Sequence, residues 1–293
     1  MTSPAPVSVV LPTIGRPDLV RQCLESLAAC NPHAAEVVVV DSSDDDSVER
    51  VVAEFAAVQV RVLRCDRRGL GHAFNVGLAD ATHDTVLLTN DDCTVDPSWV
   101  RVGLEHATED AGALVSGRVL PFGDPAAVPS TIIDAMPREY RGGTGFVLYT
   151  QCMALHRATV LEFGGFDGRI SPSAEDNDLS YRWLRAGRTI RYEPEFVVWH
   201  HDWRSREQLR RLYVAYGVGQ GMVYGKHLRQ GDVAIARYVL RDLYAGCRGL
   251  AARVVRGASS NVDWRPGLVR GLPVGLVRGW RAGRDRRAGT AAP

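Results

Sequence analysis

Apolar and polar positions fall into short blocks with two alternating periods. Residues 7–11 (Val-Ser-Val-Val-Leu) form an apolar run ended by Pro12 and predict a first strand. Residues 17–29 place Leu19, Val20, Cys23, Leu24 and Leu27 on one helical face, with Pro17 in the opening turn, where its missing N–H is tolerated. Residues 36–40 predict a second buried strand ending at Asp41, 46–56 a helix, and 58–63 a third strand. Residues 70–81 predict a helix with apolar positions at 70, 73, 74, 77 and 78. Residues 85–88 predict a fourth strand that runs straight into Asn90-Asp91-Asp92, after which Pro97 opens another helix.

The second half is less regular. Residues 113–120 and 147–155 predict strands, the latter leading into a helix that ends near Phe163. Between them, 121–145 is rich in Pro and Gly and predicts a loop or insertion. Gly164-Gly-Phe-Asp167 predicts a turn, and Glu175-Asp-Asn-Asp-Leu179 opens a helix through Ala186. Short strands are expected at 188–192 and 196–200, and helices from Ser205 onward. Gly267-Leu-Val-Arg-Gly271 recurs as Gly275-Leu-Val-Arg-Gly279, a local echo rather than a solenoid period. Strands alternating with helices predict an α/β fold with one doubly wound, mostly parallel sheet and a mainly helical C-terminal extension. We place the division between residues 1–203 and 204–293. In such sheets ligands bind beyond the carboxyl ends of the strands. The polar residues there are Thr13, Asp41, Arg67 with Arg68, and Asn90 to Asp92, which are expected to line one crevice.

Composition narrows the class. The 293 residues are 45% hydrophobic and 24% charged, ordinary for a soluble globular protein. Six cysteines show no CxxC spacing and read as reduced thiols in a cytoplasmic protein. Residues 1–6 lack a charged n-region and a long apolar stretch, so no signal peptide is expected, and no apolar run approaches the roughly 18 residues of a spanning helix. The net charge of +1 hides an asymmetry. From Arg204 onward there are 18 Lys+Arg against 5 Asp+Glu, leaving 17 and 29 before it. The basic tail, with Leu268, Val269, Leu272, Leu276, Val277 and Trp280, admits a peripheral contact with an anionic membrane. It equally admits an appendage packed on the acidic body, or a homodimer contact. No recognition motif accompanies the charge, so nucleic acid is not an expected partner. Residues from about Arg286 are expected to be disordered.

Four constellations carry candidate chemistry. Asn90-Asp91-Asp92 puts carboxylates at the end of a buried strand, where desolvation is costly without a divalent metal, a phosphate-bearing ligand's counter-ion or an Arg. The plain alternative is a solvated turn with a helix cap. Glu175-Asp176 at a helix start suits a general base but also suits simple capping. Asp178, in the same acidic patch, reads as solvent-facing. In Val197-Val-Trp-His200-His201, strand alternation sends one histidine to the crevice, although a lone histidine is commonly structural. Arg67-Arg68-Gly69-Leu70-Gly71 precedes a helix carrying Asn75, and such glycines let backbone N–H groups approach an anion.

Taken in order, the motifs resemble family 2 glycosyltransferases of the GT-A fold over roughly residues 6–204. They are Val-Val-Leu-Pro-Thr13, Val-Val-Asp41-Ser-Ser, Gly69-x-Gly-x-Ala-x-Asn75-x-Gly77, Asn-Asp-Asp92, Gly164-Gly-Phe-Asp-x(7)-Glu175-Asp-x-Asp-Leu, and Pro194-x-x-Val-Val-x-His200. The resemblance implies an inverting enzyme, rhamnosyltransferase-like or a related bacterial sugar transferase, whose first 203 residues bind nucleotide-sugar and carry catalysis. It implies that Pro12 and Thr13 border the nucleotide, that Asp41 contacts its base or ribose, and that Arg67 or Arg68 and Asn75 lie near the nucleotide and diphosphate. Asp92 and His200 would bind a divalent metal, Mn2+ or Mg2+. Asn90 stands where the family's DxD motif has its first Asp, so it is expected near the ribose, and Asp91 falls at the variable centre. Asp176 matches the catalytic base with Glu175 beside it, and Asp167 borders the acceptor side. The implied partners are a nucleoside-diphosphate sugar and a glycan, lipid-linked or small-molecule acceptor. A sugar-nucleotide pyrophosphorylase fits less well, because its Gly-rich loop is missing after Leu11. A non-catalytic nucleotide-sugar or glycan-binding protein would need neither Asp92 nor Asp176. A dinucleotide dehydrogenase would need GxGxxG where Pro12-Thr-Ile-Gly15 stands.

Overall fold

The structure is a computed structural model describing residues 3–55, 59–256 and 264–283. Among these, nine strands form one sheet. Its first half is parallel, in the order β3-β2-β1-β4: Val60–Arg64, Ala34–Asp41, Ala5–Thr13 and Thr85–Leu88. β1, β2 and β4 read as largely apolar runs because helices cover both faces, whereas β3, at the sheet edge, carries Arg61 and Arg64 and is only half-buried. Val9, Leu11, Val37 and Val39 pack under α1 (Pro17–Ala28), α2 (Ser47–Val52) and α4 (Trp99–Glu109). Val10, Val38, Val40 and Leu88 pack under α3 (Leu70–Asp80), α5 (Arg157–Glu162) and α6 (Glu175–Arg185).

The second half of the sheet is mixed. β8 (Met153–His156) runs antiparallel to β4 and to β6 (Leu114–Phe122), and β6 runs parallel to β9 (Thr189–His201). β5 (Cys93–Val95) and β7 (Arg138–Arg141) are antiparallel to β9. The sequence pattern differs here in three places. The region expected to be a loop, 121–145, contains β7, a polar strand at the sheet edge. The strand expected over 147–155 forms only at its end. The two strands expected around Pro194 are one strand, because the β6–β9 register jumps from Gly117–Glu193 to Arg118–Val197 and the irregularity accommodates the proline.

β9 ends at His201, and Ser205 caps α7 (Arg206–Arg229) through a reciprocal capping box with Gln208. A 3-10 turn, α8 (Ala236–Arg256) and α9 (Trp264–Ala282) follow. The glycine echo has a structural cause. A Cβ added at Gly217, Gly221 or Gly225 of α7 would overlap the carbonyl oxygens of Leu268, Leu272 or Leu276. One added at Gly271, Gly275 or Gly279 would overlap those of Val214, Val218 or Met222. Glycines four apart on both helices thus allow backbone-to-backbone packing. Leu268 and Leu272 are buried against Tyr181, Tyr224 and Ile235, so they serve the protein's own packing, while Val277 and Trp280 remain exposed. The disorder expected from Arg286 lies outside the described residues.

The basic region is also tied to the acidic body by a buried ion cluster. Lys226 Nζ on α7 lies 2.7 Å from Asp178 Oδ1 and 2.8 Å from Asp167 Oδ2. Arg182 Nε and His227 Nε2 reach the Asp178 carboxylate at 2.7 and 3.1 Å. Asp178 is therefore fully buried rather than solvent-facing. Burial opposes its ionisation, yet Lys226, Arg182 and His227 hold its carboxyl well below the usual range.

Candidate active site

A cavity of about 1070 Å³ is bordered by residues of β1 and β9, of α3, α6, α7, α8 and α9, and of the loops between elements. Its lining includes Pro12, Arg16, Asn90, Asp91, Asp92, Glu175, Asp176, His200 and Arg204. The sheet brings the two ends of this set together. β5 pairs with β9 so that Cys93 opposes His200, and the His201 N–H donates to the Asp92 carbonyl at 2.9 Å. Residues separated by more than a hundred positions therefore share one floor.

Asp91 and Asp92 occupy that floor with different partners. Thr13 Oγ1 donates to Asp91 Oδ2 at 2.6 Å, and Arg16 Nε lies 2.8 Å from the same oxygen. Burial raises the Asp91 carboxyl, against the opposing pull of Arg16. Asp92 Oδ2 accepts from Arg204 Nη2 at 2.8 Å and Trp203 Nε1 at 3.0 Å. Burial would raise Asp92 too, but His200, Arg204 and Arg16 hold it below the usual carboxylate range. His200 is 2% exposed, and its Nε2 lies 3.4 Å from Asp92 Oδ2 without hydrogen-bond geometry. Its Nδ1 and the Asn90 Oδ1 are buried and unpartnered. His201 turns away from Asp92 towards Thr94 Oγ1, at 3.0 Å, and Phe122. The described residues contain no cluster of three His, Cys, Asp or Glu side chains able to hold a metal. A buried carboxylate beside an imidazole with both nitrogens unsatisfied nevertheless fits a two-ligand site completed by phosphate and water.

The first turn of α6 also lines the cavity. Ala174 precedes it with φ 72°, a left-handed conformation a non-glycine residue adopts at a cost of about 1 kcal/mol. Glu175 is buried, its Oε1 3.4 Å from Thr150 Oγ1, while Asp176 keeps part of its surface open and accepts from the Asn177 N–H at 2.7 Å. Burial raises both carboxyls, and Asp176 raises Glu175 further. A Cβ on Gly71 would come 3.0 Å from Glu175 Cβ, so this glycine lets α3 and α6 approach.

The remaining expected residues lie around the cavity rather than in its lining. Asp41 ends β2 with its carboxylate on Ser43 Oγ at 2.5 Å and Arg64 Nη1 at 2.5 Å. Arg67 Nη2 donates to the Gly168 carbonyl at 3.1 Å, and Arg68 pairs with Asp44 on the surface. Asn75 uses both ends of its amide on Phe166, donating to its carbonyl at 2.7 Å and accepting from its N–H at 2.9 Å. It clamps the 164–167 turn. Asp167 pairs with Arg169 and Lys226. Three residues at the floor escaped the sequence reading: Arg16, Trp203 and Arg204. Their signal was weak, since Arg16 follows a strand like any loop residue and Arg204 opens a segment rich in arginine. The helical region also supplies wall residues, Tyr213, Tyr216 and Gln220 from α7 and Arg241 and Asp242 from α8.

The fold is of the GT-A type, and comparison with known proteins shows the family. The family model "Glycosyl transferase family 2" matches residues 8–162, and the chain belongs to that family. The pre-mycofactocin glycosyltransferase of Mycobacterium tuberculosis is 28% identical over 85% of this chain and 55% of its own length. The uncharacterized glycosyltransferase YaiP of Escherichia coli is 27% identical over 72% of this chain and 57% of its own. The chain thus spans little more than half of these curated relatives. Among solved structures, Staphylococcus aureus TarS 1-349 superposes with TM-score 0.55 and 16% identity, covering 98% of this chain and 93% of that one. The Pyrobaculum calidifontis mannosyltransferase PcManGT, solved with GDP-Man and Mn2+, gives TM-score 0.52 and 17% identity over 99% of this chain and 79% of that one.

Proposed function

We propose that this protein is an inverting glycosyltransferase that moves a sugar, a hexose or deoxyhexose, from a nucleoside diphosphate to an acceptor hydroxyl. The observation that carries the reading is one cavity lined by Asn90, Asp91, Asp92 and His200 together with Asp176. Asp176 accepts the acceptor hydroxyl proton as that oxygen attacks the anomeric carbon. Attack from the face opposite the diphosphate inverts the configuration in a single displacement through an oxocarbenium-like transition state. Glu175, buried and pushed towards its neutral form, positions the turn without competing for the proton. Asp92 and His200 are the residues that would hold Mn2+ or Mg2+, which when bound supplies Lewis-acid stabilisation of the leaving diphosphate. Asn90 lies beside the donor ribose, and Pro12, Thr13 and Asp41 frame the nucleotide side.

The acceptor in this reading is a glycan, a lipid-linked sugar or a small molecule. A lipid-linked acceptor agrees with an exposed apolar stripe on and beside α8, Val233, Leu240 and Tyr244, bordered by Arg237, Arg241 and Arg248. No helix among the described residues is long and apolar enough to cross a membrane. A thermal-shift and calorimetric screen of UDP-, GDP- and dTDP-sugars, with and without Mn2+, tests the central claim. Metal-dependent stabilisation by one nucleotide class is expected. Silence across all of them would favour a non-catalytic glycan-binding role.

A further inference from the structure

Two arginines on the cavity floor have no part in the reaction as derived above. Arg16 follows β1 and Arg204 follows β9, and their guanidinium carbons lie 5.2 and 4.2 Å from the centroid of the Trp203 ring. Arg16 Nε reaches Asp91 Oδ2 at 2.8 Å, and its Nη1 is 3.9 Å from Asp92 Oδ2. Arg204 Nη2 sits 2.8 Å from that same Asp92 oxygen. Both side chains line the cavity.

Neutralising two buried carboxylates would account for the pairing but not for everything at the floor. Arg204 Nη1 is buried and makes no hydrogen bond, so a charged donor beside the cavity stands unused. Asp92 Oδ2, moreover, lies 3.4 Å from His200 Nε2, the side chain with which Asp92 would hold a divalent cation. A guanidinium and a metal ion repel each other over one carboxylate oxygen at such range. Once Asp92 holds a cation, Arg204 requires another anion. The diphosphate is the anion the reaction delivers, and the planar fork of arginine suits phosphate oxygens.

We infer that Arg204, supported by Arg16, is a diphosphate-binding residue of the donor site that rests on the Asp91–Asp92 pair until the donor arrives. The inference builds on the donor reading above. In the bound state its charge opposes the negative charge that accumulates on the departing nucleoside diphosphate, in the manner of a preorganised cationic clamp. Trp203 keeps the two guanidinium groups near one place by cation–π contact.

Calorimetric titration of the full chain with UDP, GDP, dTDP, CDP and ADP, and with the matching monophosphates, in the presence of Mn2+, tests this. For the diphosphate that wild type binds, Arg204→Ala weakens binding about 10- to 100-fold, as for a lost charged hydrogen bond. The matching monophosphate keeps its affinity, and Arg204→Lys recovers part of the loss. Without nucleotide, Mn2+ titration followed by electron paramagnetic resonance shows tighter binding in Arg204→Ala, because the competing guanidinium is gone. Unchanged diphosphate affinity, or equal losses for mono- and diphosphate, overturns the clamp while leaving the donor reading intact. A wild type that binds none of the five diphosphates overturns the donor reading and the clamp with it.

Discussion

Asp176 and Glu175 share one helical turn and both line the cavity, yet Glu175 is buried while Asp176 is partly exposed. Asp176→Asn should lower kcat by about a hundredfold or more, as for a lost general base, while calorimetry shows nucleotide binding retained. Because burial raises the Asp176 carboxyl, its ionised form is lost on acidification at a higher pH than for an ordinary aspartate near 3.9. The acid limb of the kcat profile should lie correspondingly high. Glu175 makes the complementary case for stability. Its folded carboxyl is raised, so the unfolded chain releases the proton first and stability falls as pH rises from the ordinary glutamate range towards the raised value. Glu175→Gln removes that penalty and should raise Tm at pH 8 more than at pH 5. The sequence exposed these acids because each follows a recognisable strand end or glycine turn. Arg204 was hidden because its partner Asp92 is 112 positions away, and nothing local distinguishes it from neighbouring arginines. Asp178 was misplaced for a related reason: an acid on a helix looks solvated until the covering helix, α7, is known.

At the scale of elements, the α7–α9 pair is the least ordinary packing in the molecule. Its glycines sit where any Cβ meets the partner's backbone, which cannot swing aside as a side chain can. Gly275→Ala should cost at least the roughly 1–3 kcal/mol of ordinary overpacking, and Gly275→Val more. Thermal unfolding measures the loss, and faster proteolysis within α9 would place it. The recurring glycine motif was legible as an echo, but its meaning depends on a facing helix with the same spacing, which no single segment reveals. The parallel strands β1, β2 and β4 were legible because burial on both faces leaves long apolar runs. β5 and β7 were not, since one is three residues long and the other, Arg-Glu-Tyr-Arg, is a polar edge. β5 matters out of proportion to its length, because its pairing with β9 joins Asp92 to His200.

For the molecule as a whole, charge asymmetry becomes architecture. The basic C-terminal region places Arg204 on Asp92 and Lys226 on Asp167 and Asp178, so part of the positive excess neutralises the acidic body from within. Other arginines stay at the surface. Leu240→Asp combined with Tyr244→Asp should reduce flotation with vesicles containing anionic lipid if the α8 stripe meets a membrane, and equal flotation of wild type and variant would exclude that stripe. This pair is a better probe than deleting residues 261–293, which would also strip α7 of its glycine-packed partner. The buried ion cluster has a further, practical consequence. Lys226 is the only lysine in the sequence and is 4% exposed. In the folded state this chain therefore offers amine-directed reagents no exposed lysine. Lysine cross-linkers will be blind to its partners, and slow modification of Lys226 in the native state becomes a single-site clock for the parting of α7 from α6.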